Sequence, residues 1–329
     1  MADLSGYATY GSFFLVIALI NAIAVLGLNL QWGQTGLFNV GVAAFVAIGA
    51  YTSALLTTPA GAGHAAGYGL PIFVGWLGAM AAAGGASLLV GLMTLRLRAD
   101  YLAITTFGVA VTVGLVMQNA EHLTGGAFGI SDIPRPFASL ADRPLLFGAA
   151  SLALVALVTT AAYVALERLV HSPWGRVLRA IREDELAAAS LGKNPAHYRL
   201  QAFAIGGALM GLSGAVHAHF IGFIAPDNYQ ASLTFQIWAM LIVGGAGSSR
   251  GALLGAVLVW GLWSATGLAT GALFPPEDQA RAAALRIVAI GVLLAAMIVL
   301  RPRGLIGVAP ERATAGADGP QVPDGAEHE

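Results

Sequence analysis

Between Asp3 and Arg96 the chain has no aspartate, glutamate, lysine or arginine, so residues 4–95 form one unbroken stretch without a formal charge. Only 10% of its 329 residues are charged and 57% are hydrophobic, against roughly 25% charged in a soluble domain. A bilayer is the solvent that selects such a run, because a central Asp, Lys or Arg in a transmembrane helix costs about 2.5 to 3.5 kcal/mol. Cysteine is absent, which excludes disulfide frameworks, cysteine zinc sites and thiol catalysis. The net charge of −1 gives no reason to expect a nucleic-acid partner. Met1 to Tyr10 lacks a basic n-region, and the apolar stretch 13–28 runs on without a small-residue cleavage site. It is expected to be a retained span rather than a cleaved signal.

Apolar runs of about 20 residues can cross the hydrocarbon core as helices that satisfy their own backbone. Spans are expected at 11–30, 36–57, 70–95, 100–119, 145–167, 199–221, 251–272 and 282–300, with a short, Gly-ended segment at 231–246. The fold class is therefore all-α, a polytopic helical bundle of about eight to nine transmembrane helices. With loop 168–198 in the cytoplasm, twelve basic residues fall inside: Arg96, Arg98, Arg168, Arg176, Arg179, Arg182, Lys193, Arg199, Arg250, Arg301, Arg303 and Arg312. Only Arg135, Arg143, Arg281 and Arg286 fall outside. The excess predicts an N-terminus outside and a C-terminus in the cytoplasm. Residues 1–309 form the membrane domain, and 310–329, rich in Pro, Gly, Ala and acid, are expected to be a disordered cytoplasmic tail.

The loop 168–198 breaks the apolar pattern. Ser172 can cap a helix and Pro173 suits its first position, while Gly192 and Pro195 can end the element. Val177, Leu178, Ile181, Ala188 and Leu191 recur at helical spacing, and Arg176, Arg179 and Arg182 lie on another stripe. The pattern predicts one amphipathic helix over 173–191. Its basic stripe could touch anionic lipid. The acids Glu183, Asp184 and Glu185 beside it suit a groove on a cytoplasmic protein.

Chemistry of the chain's own is hard to find. A phosphate-cradling loop needs GxxxxGK[ST], yet the one lysine, Lys193, is followed by Asn194, and Ala187 stands in place of the first glycine. The run Gly244-Gly245-Ala246-Gly247-Ser248-Ser249-Arg250-Gly251 reads as a tight turn. Asp100 and Glu121 flank a span, and His217 and His219, two apart on a helix, point in different directions; structural or cavity-lining roles are expected. Glu183 to Glu185 are consecutive, with no nucleophile nearby, which argues against catalysis. Neutral polar residues remain within the spans. Among them Asn29, Gln34, Asn39, Thr105, Thr106, Gln118, Asn119 and Gln236 are candidates to line a translocation path, or to bond between helices.

Several stretches together carry a resemblance: Gly33–Gly41, Ile48–Tyr51, Leu95–Arg98 with Tyr101–Thr106, Leu123–Gly126 with Gly129-Ile130, Gly175 to Gly192, Gly222–Pro226, Gly244–Ser248 and Arg301–Gly307. On these the chain resembles, from Leu28 to Gly307, the LivM-type permeases, membrane subunits of ABC importers for branched-chain amino acids and related solutes. The resemblance implies the ABC importer permease fold in a bacterial plasma (inner) membrane. It implies a second homologous permease, two cytoplasmic ABC ATPase subunits and an extracytoplasmic solute-binding protein as partners, with no cofactor and no ATP hydrolysis on this chain. The loop helix then looks like a coupling helix, with Arg176, Arg179, Arg182, Glu183, Asp184, Glu185, Ala187, Ala188 and Gly192 as the ATPase-coupling set. Leu186 stands where the importer pattern usually has Glu, with Glu185 one place earlier; Val42 replaces a frequent His, and Asn39 a usual Ser. Urea or short amides stay open beside branched-chain amino acids. A self-sufficient secondary carrier or channel is the alternative that the residues alone allow.

Overall fold

The computed structural model describes residues 2–59, 67–94, 99–273, 278–301 and 304–306. Helix α1 (Ala2–Leu28) passes directly into a π-helical turn, Asn29–Gln34, and a non-helical stretch, 35–41, follows. Then come α2 (Val42–Thr57), α3 (Ile72–Thr94), α4 (Ala99–Asn119) and the single turn α5 (Glu121–Thr124). Next are α6 (Pro144–His171), α7 (Pro173–Glu183), α8 (Glu185–Ser190) and α9 (Pro195–Ile221). The order closes with α10 (Ala231–Gly244), α11 (Ser249–Leu273) and α12 (Gln279–Leu300). Among the described residues the only extended pairing is an antiparallel bridge between Ile130 and Ile224, so the expected all-α class holds.

Each expected apolar segment contains a helix. Among the described residues six helices, α1, α3, α4, α6, α9 and α11, are long and apolar enough to cross a membrane, slightly below the eight to nine expected. The expected spans at α2 and the segment at α10 are shorter helices, of 16 and 14 residues. At 1.5 Å per residue, α2 reaches only about 24 Å of a core about 30 Å thick. The span expected from residue 36 starts as a helix only at Val42: the amides of Gly36 and Leu37 bond back to the Trp32 and Gln31 carbonyls, and those of Val40 and Gly41 bond the side chains of Thr106 and Asn39. Arg96, Arg98, Glu277, Arg303, Arg312 and the tail 310–329 lie outside the described residues.

The interior is made by α1, α2 and α9, which are mostly buried, whereas α3, α4, α6 and α11 expose most of their surface. The exposed positions are apolar, Phe73, Leu77 and Met93 on α3, Ile104 and Val116 on α4 and Leu157 on α6 among them, as suits lipid or a partner subunit. α9 packs against α3, α2 and α1. Lipid tails are as apolar as leucine, so such contacts depend on close backbone approach rather than on escape from water. The sequence supplies small residues for it: Gly75, Ala79, Ala83, Ser87 and Gly91 lie buried along α3 at intervals of four. Opposite them, a Cβ on Gly207 would strike the Ser87 side chain, and one on Gly211 would strike Ala83. Ser87 fastens the seam by donating to the Phe203 carbonyl at 2.7 Å.

Candidate functional site

The segment between α6 and α9 forms the first part of the site. Pro173 starts α7 as expected, but Ser172 supplies no side-chain cap and its hydroxyl donates back to the Leu169 carbonyl at 2.6 Å. The single helix expected over 173–191 is two. Asp184 adopts an extended backbone, and its carboxylate accepts the Ala187 amide at 2.9 Å, capping α8. A short acid that can bond the backbone two or three residues on competes with a continuing helix, and here it wins. Leu178, Ile181 and Ala188 are buried, so the inward face is the expected one, except that Leu191 is 81% exposed, beside Leu186 at 80%. Arg176, Arg179, Glu183 and Ala187 are exposed. Glu185 pairs with Arg199 on α9 at 2.8 Å, and Gly192 ends the element in the left-handed conformation, φ +76°. Arg182 differs from its neighbours: its guanidinium donates to the Gly33 carbonyl in the π-helical turn of α1.

That turn is the second part. Leaving the helix inside a bilayer orphans backbone groups, and each needs a partner from the protein. The segment's own backbone and side chains supply some of them, and side chains of α4 and α10 supply others. Gln31 bridges by donating to the Phe203 carbonyl of α9 at 2.8 Å and accepting from Asn39 Nδ2 at 2.7 Å. The Asn39 side-chain oxygen takes the Gly41 amide at 2.7 Å, and the Asn39 carbonyl takes Trp238 Nε1 at 2.9 Å. Thr106 of α4 accepts the Val40 amide at 3.0 Å, and Thr234 of α10 accepts the Ala43 amide at 3.0 Å. Asn29 accepts the Gly247 amide and Gln34 donates to the Gly247 carbonyl, both at 2.8 Å. The glycine-rich segment is indeed a turn, between α10 and α11. Gly245 and Gly247 have φ of +108° and +88°, and a Cβ on Gly33 would meet Gly247. Leu305 and Ile306 close the assembly by donating to the Val243 and Gly244 carbonyls at 3.0 Å each.

The eight path candidates therefore separate. Asn29, Gln34, Asn39 and Thr106 are buried and gathered at the break in α1. Thr105 and Asn119 bond back to their own helix, to the carbonyls of Tyr101 and Leu115, each at 2.8 Å, and Gln118 is exposed in a groove with Phe107 and Pro226. Gln236 stands apart, on the wall of an internal cavity. The two histidines diverge as expected: His219 bonds Ser53 at 2.8 Å and the Pro134 carbonyl at 2.7 Å, whereas His217 faces the same cavity as Gln236. No group of three potential metal ligands occurs among the described residues. Gln31 and Trp238 were not on the list of candidates, although both are central to the break. The only sequence signal for either was the density of amides over 29–39.

Residues 11–299 match the family model described as "Branched-chain amino acid transport system / permease component". The chain belongs to this family of transport permeases. It is 33% identical over 315 aligned residues to the high-affinity branched-chain amino acid transport system permease protein LivM of Escherichia coli K12, covering 88% of this chain and 68% of that protein. The Salmonella typhimurium LivM is 32% identical over the same shares. A probable LivM of Methanocaldococcus jannaschii is 33% identical over 49% of this chain and 46% of its own length. No solved structure matches the chain. As a member of this permease family the chain is a transport subunit, and the secondary-carrier alternative gains no support.

Proposed function

We propose that the chain imports branched-chain amino acids, or related small neutral solutes, as one permease of an ABC importer in a bacterial plasma membrane. Its partners in this reading are a second homologous permease, two cytoplasmic ABC ATPase subunits and an extracytoplasmic solute-binding protein. The N-terminus faces outward and the C-terminus the cytoplasm, as the distribution of basic residues over the loops favours. ATP is hydrolysed by the partners.

The observation that carries this reading is the hydrogen bond from Arg182 to the Gly33 carbonyl. It joins the exposed α7–α8 surface to the one place where a buried helix of the bundle is broken. A partner that displaces α7 pulls on the π-helical turn. Through Asn29 and Gln34 the pull reaches Gly247 and hence the α10–α11 turn, and through Gln31 it reaches α9. Every link is a discrete contact that either persists or breaks, which suits a two-state switch.

Arg179→Glu with Arg182→Glu reverses two charges on the docking face, and the doubly substituted chain should no longer co-purify with the ATPases. Unchanged co-purification and uptake would reject the coupling assignment. Arg182→Gln is finer. A hydrogen bond from a charged group is worth roughly 1.5–3 kcal/mol, so uptake should fall by about tenfold or more while ATP hydrolysis by the assembled complex continues.

A further inference from the structure

Beside the break in α1, and separate from it, the bundle holds a cavity of about 240 Å³ between α1, α2, α9, α10 and α11. At roughly 30 Å³ per water molecule this is the room of about eight waters, the size of a small organic solute rather than of one trapped water. Four of its lining side chains present polar atoms that are buried and make no hydrogen bond: His217 Nδ1, the Tyr229 hydroxyl, Gln236 Nε2 and Trp260 Nε1. The Tyr51 hydroxyl, also buried and without a partner, belongs to a ring 6.1 Å from that of Tyr229. Elsewhere among the described residues such atoms are scattered singly, on Trp76 and Arg199. Buried polar groups without partners are rare, and four of them on the residues around one cavity leave hydrogen-bonding capacity that a ligand there takes up when those side chains turn toward it. The wall also has Asn21, Ser213 and Asn228 and an apolar side with Ile17, Ile20 and Val46, and among the described residues no aspartate, glutamate, lysine or arginine lines it.

We infer that this cavity is a solute-holding chamber on the transport path, built for a net-neutral solute with one polar end and one branched apolar end. The inference rests on the permease reading and refines it. Donors and acceptors from His217, Tyr229, Gln236 and Trp260 replace part of the hydration of the polar end, and the isoleucines and Val46 receive the apolar end. Without a fixed charge the chamber holds a zwitterion loosely enough to release it, and offers nothing to an excess cation. The break at residues 29–41, by contrast, is hydrogen-bonded throughout and serves as a hinge, not a binding surface.

The chain has no cysteine, so a thiol introduced by Gln236→Cys is the sole target on this chain for a water-soluble methanethiosulfonate reagent. The importer, assembled in lipid vesicles and turning over ATP, should be labelled at this position. L-leucine should slow labelling about fivefold at a concentration about four times its Kd, and L-arginine should not. Absence of labelling, or labelling indifferent to leucine, overturns the chamber. Tyr229→Phe, His217→Phe and Gln236→Met delete the unpaired atoms with little change of volume. Each should lower the maximal leucine uptake rate at least about fivefold, with thermal stability unchanged or raised, because the interaction lost is made only with solute in transit. Unchanged uptake in all three also overturns the chamber and leaves the permease reading intact. If the unsubstituted assembly shows no ATP-dependent leucine uptake, the permease reading itself fails, and the chamber with it.

Discussion

The break in α1 and the cavity beside Gln236 are both polar patches inside an apolar bundle, and they treat their polar atoms in opposite ways. At the break, Asn39, Thr106 and Thr234 accept the amides of Gly41, Val40 and Ala43, and Gln31 bridges Asn39 to the Phe203 carbonyl of α9. At the cavity, His217, Tyr229, Gln236 and Trp260 each keep a polar atom unpaired. In a bilayer interior a buried polar residue needs a partner from the protein or from what passes. Glutamine occurs in both sets, so its type alone does not distinguish these roles, but the state of its hydrogen bonds does.

Stability measurements on the purified chain can break this contrast. The largest loss is expected for Asn39→Leu, which orphans the Gly41 amide and the Gln31 side-chain oxygen together; at about 1–3 kcal/mol per buried unpaired group the cost is roughly 2–6 kcal/mol. A melting temperature equal to that of the unsubstituted chain would show that the break is not held this way. Gln34→Leu should cost less, about 1–3 kcal/mol, because it strands one backbone carbonyl, that of Gly247. Glu185→Gln removes an ion pair whose acid is half exposed and should shift stability by no more than about 1 kcal/mol. Tyr229→Phe should cost nothing or stabilise slightly, since its hydroxyl has no partner to lose. If Tyr229→Phe proves as damaging as Asn39→Leu, the two patches are not different in kind.

Much of the fold could be read before any coordinates. The long charge-free stretch demanded a membrane solvent, and each expected apolar segment contains a helix. Proline at the start of α7 and the left-handed Gly192 after α8 follow from local conformational preference alone. The misses were local competitions. Asp184 could continue one helix or cap the next, and a single hydrogen bond to Ala187 decided it. Residues 36–41 are apolar enough to pass for the start of a span, but their amides bond the end of the π-helical turn and the side chains of Thr106 and Asn39, and α2 starts late. Leu191 shared the spacing of the buried face, yet the turn at Asp184 moved α8 out of phase with α7 and left it exposed.

The candidate site was legible only in outline. A density of amides over 29–39 and the charges at 176–185 marked the right neighbourhoods, but Arg182 read as one of three equivalent arginines until its bond to Gly33 set it apart. His217 and His219 looked alike, and differ because His219 bonds two other segments through both ring nitrogens whereas Nδ1 of His217 has no hydrogen bond.

The sequence by itself determined that this chain is an all-helical membrane protein with one charged loop and no GxxxxGK[ST] run, because solvent cost and helical period are properties of consecutive residues. Only the tertiary structure decided which polar residues hold the bundle and which face a cavity. The partner of Asn29 is 218 positions away and that of Gln31 on α9 is 172 away. Whether a donor finds an acceptor depends on the packing of distant helices, and no local pattern encodes that.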